Sequence, residues 1–160
     1  MNYNIIISPS KNMNLDEIDR SKKIKLNERS VKILDKIQSL NKKDIVEKFY
    51  VSENLAEKIY NMYESFYDNG VKEAIYLYEG YVFKNINLKY LSKEKLKFLN
   101  DKICIVSAFY GILKPFEYIY PYRLDFNVKI KIDGDSIENY QKGYINDKLK
   151  GKNIINLASK

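Results

Sequence analysis

The 160-residue chain is 45% hydrophobic and 31% charged. No apolar run approaches the roughly 20 residues of a membrane span, so the expectation is one globular domain with its own core and no membrane partner. There is no histidine, which removes Ser-His-Asp and Cys-His catalysis and nearly all zinc and non-haem iron sites. The formal net charge of +7 is unevenly placed: residues 1–80 hold 13 basic and 13 acidic side chains, residues 81–160 hold 15 and 8. A polyanion-binding face produces such asymmetry. So does a coding bias toward Lys, Ile, Asn and Tyr, which fits a chain with three arginines.

The start of the chain lacks a basic region and a small-residue cleavage site, so it reads as a strand, not a signal peptide. Tyr3–Ile7 is a short apolar run stopped by Ser8-Pro9. Residues 27–40 place Val31, Leu34, Ile37 and Leu40 at helical spacing. A second short helix is expected over Lys43–Phe49. Ser52 caps a third, with Leu55, Ile59, Met62 and Phe66 on one stripe and a stop near Asn69-Gly70. Ala74–Tyr78 reads equally as strand or helix end. Ser92 caps a helix carrying Leu96 and Leu99. Lys102–Val106 is a second buried strand; its Cys104, the one cysteine, is expected to be a buried thiol, in keeping with a reducing, cytoplasmic setting. Val128–Ile132 alternates up to the Asp133-Gly134 turn, which predicts a strand. A helix over residues 136–149 then leads to a third apolar strand, Asn153–Leu157. This order of elements predicts a mixed α/β fold, a mixed sheet with surrounding helices.

Three apolar strands thus end in serine-bearing loops, at Ser8-Pro9-Ser10-Lys11, at Ser107-Ala108-Phe109-Tyr110-Gly111 and at Ala158-Ser159. Ligands of α/β sheets bind outside the carboxyl ends of parallel strands. If these strands run parallel and adjacent, Ser8, Lys11, Ser107, Tyr110 and Ser159 gather at one edge as an anion pocket. The plainer alternative is that the serines cap and turn. Tyr118, Tyr120 and Tyr122 alternate before Arg123; they read either as base-stacking rings beside a phosphate-pairing arginine or as a half-buried edge strand. Lys93, Lys95 and Lys97 lie in a lysine-rich stretch that reads as a nucleic-acid contact or as a solvated helix face.

Four motifs carry a resemblance: Ile-Ser-Pro-Ser-Lys at 7–11, Ser-Ala-Phe-Tyr-Gly-Ile-Leu-Lys-Pro at 107–115, Pro-Tyr-Arg-Leu-Asp at 121–125 and Asn-Leu-Ala-Ser at 156–159. In order and spacing they resemble the YaaA peroxide-stress family, and Gly80, Val82 and Phe83 fit a further segment of it. Tyr81 and Asn85 stand where the family usually has Asp and Gly, and a tryptophan typical near Gln141 is missing. The resemblance implies a single domain over residues 1–160 that lacks the family's C-terminal third. It implies a YaaA-like fold with a helix-hairpin-helix element, and a cytoplasmic protein that binds DNA and limits free iron under hydrogen peroxide stress. Carried onto this chain, the family's motif residues are Ser8, Pro9, Lys11, Tyr110, Gly111, Pro115, Pro121, Tyr122, Arg123, Asn156 and Ser159. Of these, Ser8, Lys11, Tyr110, Gly111, Tyr122, Arg123 and Ser159 are expected to bind the ligand.

Two functional readings follow. One is a DNA-binding protein. The other is an enzyme acting on a nucleotide or nucleobase, with Lys11, Tyr110 and Arg123 as catalytic candidates and a phosphate-like anion as ligand. No cofactor is expected, and without histidine or a dense carboxylate cluster neither is a metal site. A second copy of the chain, pairing along an open edge of the final strand, is a further expected partner.

Overall fold

The computed structural model describes residues 3–159. It opens with β1 (Tyr3–Ile7), whose isoleucine run suits extended backbone. Three helices follow: α1 (Glu28–Gln38), α2 (Lys42–Phe49) and α3 (Glu53–Glu64). Each starts where a short polar side chain satisfies a first-turn amide. Asn27 accepts from the Ser30 N–H at 2.8 Å, Asn41 from that of Asp44 at 2.9 Å and Ser52 from that of Leu55 at 3.3 Å. The Asp44 carboxylate in turn accepts the Asn41 N–H, completing a capping box. The stripe α3 buries is Ala56, Ile59 and Tyr63, continued by Phe66. Of the expected stripe, Leu55 and Met62 are half-buried against the core, and the expectation passed over Ala56 and Tyr63.

Helices α2 and α3 pack as a hairpin joined by Tyr50, Val51 and Ser52. Two helices and a tight turn do not by themselves establish the helix-hairpin-helix element that the resemblance implies.

The middle of the chain is built of short pieces: β2 (Lys72–Glu73), α4 (Ala74–Leu77), α5 (Tyr81–Asn85) and α6 (Lys93–Lys102). The ambiguous segment at Ala74 is therefore helical. Helix α6 runs directly into β3 (Ile103–Ser107), which turns into β4 (Gly111–Leu113); β5 (Tyr118–Ile119) then pairs back onto β2. The hairpin of β6 (Lys131–Ile132) and β7 (Asp135–Ser136) precedes α7 (Ile137–Leu149) and β8 (Asn153–Asn156).

The expected strand over Val128–Ile132 is corrected: only Lys131 and Ile132 pair. Val128, Ile130 and Ile132 are buried and Lys129 and Lys131 exposed, so the alternation is real. It records burial against the core, while the backbone of Val128 and Ile130 bonds locally, to Asp125 and Val128. Period two fixes which side chains point inward, not whether a neighbouring strand exists.

The main sheet has the order β4-β3-β1-β8. β1 pairs in parallel with both β3 and β8, and β4 runs antiparallel to β3, so the fold is mixed α/β. The register matches Ile7 with Ile105 and Ile6 with Asn156, which brings the carboxyl ends of three parallel strands to one edge. α6 enters β3 from the opposite edge. Under the sheet lies an aromatic core in which the Phe66 ring sits 5.4 Å from Phe109 and 5.1 Å from Tyr120. Among the described residues no helix is long and apolar enough to cross a membrane.

Candidate functional site

The loops leaving β1 and β8 meet at the strand ends. The Ser159 N–H donates to Ser8 Oγ at 3.0 Å, and the two hydroxyls lie 3.1 Å apart. Beside them opens a cleft of about 710 Å³. Its walls are Ser8 to Lys11, the segment from Tyr122 to Val128, the hairpin turn at Tyr50 and Val51, Ala158 and Ser159, and the α7 face with Glu138, Lys142, Ile145 and Asn146. The lining includes three basic residues, Lys11, Arg123 and Lys142, and two acidic ones, Asp125 and Glu138. Lys11 Nζ and Asp125 Oδ2 stand 3.0 Å apart and both side chains remain open to solvent, so the pair is weak and displaceable.

Buried polar groups set this geometry. The Tyr63 hydroxyl donates to the Arg123 carbonyl at 2.9 Å and accepts the Arg123 N–H at 3.3 Å. Burial pushes the Tyr63 phenol well above its ordinary range, so it keeps the proton it donates. Gln141, buried on α7, donates to the carbonyls of Ala108 at 3.0 Å and Phe109 at 3.3 Å. Its own oxygen accepts from Arg29 Nε at 3.2 Å. That tie fixes α7 against the turn after β3 and thereby places Lys142 and Asn146 along the cleft.

Of the residues singled out in the sequence, Ser8, Lys11, Tyr122, Arg123 and Ser159 line this one cleft. Tyr110 and Gly111 do not. Tyr110 is buried, its hydroxyl donating to the Tyr120 carbonyl at 3.0 Å and accepting the Tyr120 N–H at 2.9 Å. Gly111 opens β4 at φ +81°, and a Cβ there would fall 2.6 Å from Cε1 of Tyr144. Both positions follow from the sharp return of the chain into β4, which turns this segment into the core.

Ser107 is also withdrawn: its Oγ accepts the N–H groups of Phe109 and Tyr110 and pairs with the Tyr122 hydroxyl at 2.8 Å. The Tyr122 hydroxyl is held in turn by Tyr78 at 2.7 Å, and burial pushes its pKa up to about 12. Tyr120 and Tyr122 are both buried and Tyr118 lies under the Lys22 ammonium. The three alternating tyrosines therefore do not form a stacking row for bases. Lys93, Lys95 and Lys97 are exposed on α6, outside the cleft, and Lys97 bonds Asp101 at 2.7 Å.

Tyr50, Tyr63, Glu138, Lys142 and Asn146 were not recognised from the sequence. The spacing 138, 142 and 146 does mark one helical face, but nothing local says what that face meets. Gly80 closes the other side of the Ser8–Lys11 loop, where an added Cβ would lie 3.1 Å from that of Ser10.

Comparison with known proteins finds relatives over most of the chain. A UPF0246 protein of Francisella tularensis subsp. mediasiatica is 28% identical over 170 residues, covering 97% of this chain and 67% of that relative. One from Francisella tularensis subsp. novicida matches to the same extent. A UPF0246 protein of Crocosphaera subtropica is 31% identical over 135 residues, covering 79% of this chain and 54% of its own length. The chain thus spans between about half and two thirds of these relatives. The family model described as "Peroxide stress protein YaaA" matches residues 3–160, and the chain belongs to that family.

Proposed function

We propose that this chain serves the peroxide-stress response as a DNA-binding protein whose strand-end cleft takes a backbone phosphate, and that this binding helps limit intracellular free iron. One observation carries the reading: Ser8, Lys11, Arg123 and Ser159, from motifs spread over the whole chain, line a single cleft. Hydroxyls, an ammonium and a guanidinium converging in one concavity match a phosphate better than any neutral ligand. The basic excess of residues 81–160 supports a polyanionic partner. The exposed α6 lysines supply a second contact to a longer polymer, and the α2–α3 hairpin is the segment a helix-hairpin-helix element would occupy.

Titration of duplex DNA across a salt series tests this. The log–log slope should have a magnitude of about 0.9 per phosphate neutralised, and Arg123→Gln with Lys142→Gln should weaken every sequence alike. Affinity unchanged by that double substitution would sink the cleft as the phosphate site. In peroxide-treated cells, loss of the protein should raise chelatable iron.

A second reading is an enzyme acting on a nucleotide or nucleobase. The observation favouring it is size, because about 710 Å³ falls in the small-molecule range of roughly 300–1,000 Å³. Lys11 and Arg123 then hold the anion, while Tyr110 is too buried to take part. A cytoplasmic setting is proposed for both readings. Pairing of two copies along β8, whose residues are all exposed, is a separate proposal that sizing over a concentration range tests.

A further inference from the structure

Tyr50 occupies a position where helix-ending chemistry favours glycine. It caps α2 at φ 54° and ψ 51°, with its N–H on the Val46 carbonyl. This left-handed conformation is unfavourable for a residue bearing a Cβ. The ring recovers nothing by burial, since Tyr50 is 72% exposed. It also lines the same cleft as Ser8, Lys11 and Arg123. The strained backbone works against folding and the solvent-facing ring does not offset it, so stability does not account for a tyrosine here.

We propose that Tyr50 is the stacking face of the cleft, and that the ligand is a nucleotide unit with an unpaired base. This rests on the reading of the cleft as a phosphate site, and it names what lies beyond the phosphate. The anion sits at Ser8, Lys11 and Arg123 while the base covers the Tyr50 ring, with Val51 and Phe126 as apolar neighbours. Phosphate alone needs no aromatic wall. Bases in a duplex are already stacked on each other, so the ring engages a free nucleotide or a single strand, while an intact duplex meets the cleft through its phosphates alone.

The experiment titrates the purified chain with AMP, ribose 5-phosphate, a short single strand and the matching duplex. AMP should bind about five- to a hundredfold tighter than ribose 5-phosphate, the contribution of one stacked base. Tyr50→Phe should keep that preference. Tyr50→Gly should abolish it with melting temperature unchanged or raised, because glycine relieves the left-handed backbone. A single strand outcompeting AMP would identify a polymer as the source of the nucleotide, and the reverse would identify a free metabolite. If Tyr50→Gly leaves AMP affinity intact while Arg123→Gln abolishes it, the stacking role is overturned and the phosphate site stands. A lower melting temperature in Tyr50→Gly would make Tyr50 structural and overturn the proposal as well. If no phosphate compound binds and Arg123→Gln changes nothing, the phosphate site itself fails.

Discussion

Tyr63 holds Arg123 by both of its backbone polar groups, giving a hydrogen bond to the carbonyl at 2.9 Å and taking one from the N–H at 3.3 Å. The same device recurs twice. Tyr110 clamps Tyr120 in this way, and the Tyr120 hydroxyl bridges the N–H and carbonyl of Ile24. Irregular segments without a ladder partner are thereby satisfied inside the molecule. For Arg123 the clamp also fixes where the guanidinium starts.

Tyr63→Phe should therefore act twice. Leaving the Arg123 N–H and carbonyl without that hydroxyl should cost about 1–3 kcal/mol of stability, seen as a lower urea midpoint. It should also weaken anion binding by a looser Arg123, even where the protein is fully folded. Full retention of anion affinity would limit Tyr63 to the core.

Asp125 masks Lys11 through their 3.0 Å pair. Asp125→Asn removes a negative charge from the cleft and frees the ammonium, so phosphate or nucleotide affinity should rise severalfold at low salt. Stability should change little, because an exposed pair contributes at most about 1 kcal/mol. Isothermal titration at two salt concentrations checks both points, and a fall in affinity would mean that Asp125 itself contacts the ligand.

Alkaline pH should unfold the protein through its buried phenols. Tyr63, Tyr78, Tyr110 and Tyr122 are all raised above the usual 10.0, chiefly by burial, and Tyr122 reaches about 12. The folded chain keeps these protons where the unfolded chain has lost them. Their stabilisation is complete below pH 10 and is lost as pH rises toward and past 12. Each fully titrating phenol contributes a slope of about 1.4 kcal/mol per pH unit. Urea midpoints between pH 9 and 11.5 should fall steeply above 10; a flat profile would contradict the buried network.

The two basic surfaces should separate by ligand. Lys93→Gln, Lys95→Gln and Lys97→Gln combined should lower the salt slope for DNA by up to about 0.9 for each phosphate that the lysines neutralise, and should leave mononucleotide affinity alone. Arg123→Gln should reduce both. If the α6 substitutions change neither slope nor affinity, that helix face is only solvated.

Gly111→Ala should destabilise by about 2 kcal/mol or more, through the left-handed φ of +81° and the close approach of Tyr144. Adding Tyr144→Ala removes the clash but not the backbone cost, so it should restore only part of the urea midpoint. Complete restoration would show that φ at residue 111 is not limiting.

Local chemistry alone determined much of this protein. Asn27, Ser52 and Ser92 announce helix starts because a short polar side chain beside a hydrophobic stripe meets amides that nothing else satisfies. Ile5–Ile7 and Ile103–Val106 announce buried strands, and the serine after each strand marks the edge that Ser8 and Ser159 come to share. Contacts between distant segments decided the rest. Tyr110 and Arg123 look alike as motif residues, yet the turn into β4 buries one and the Tyr63 hydroxyl presents the other. Lys142 and Asn146 reach the cleft because Gln141 ties α7 to the turn after β3 across 33 residues of chain. No local pattern encodes that approach, because a side chain's spacing along a helix fixes its face but not the surface that face meets.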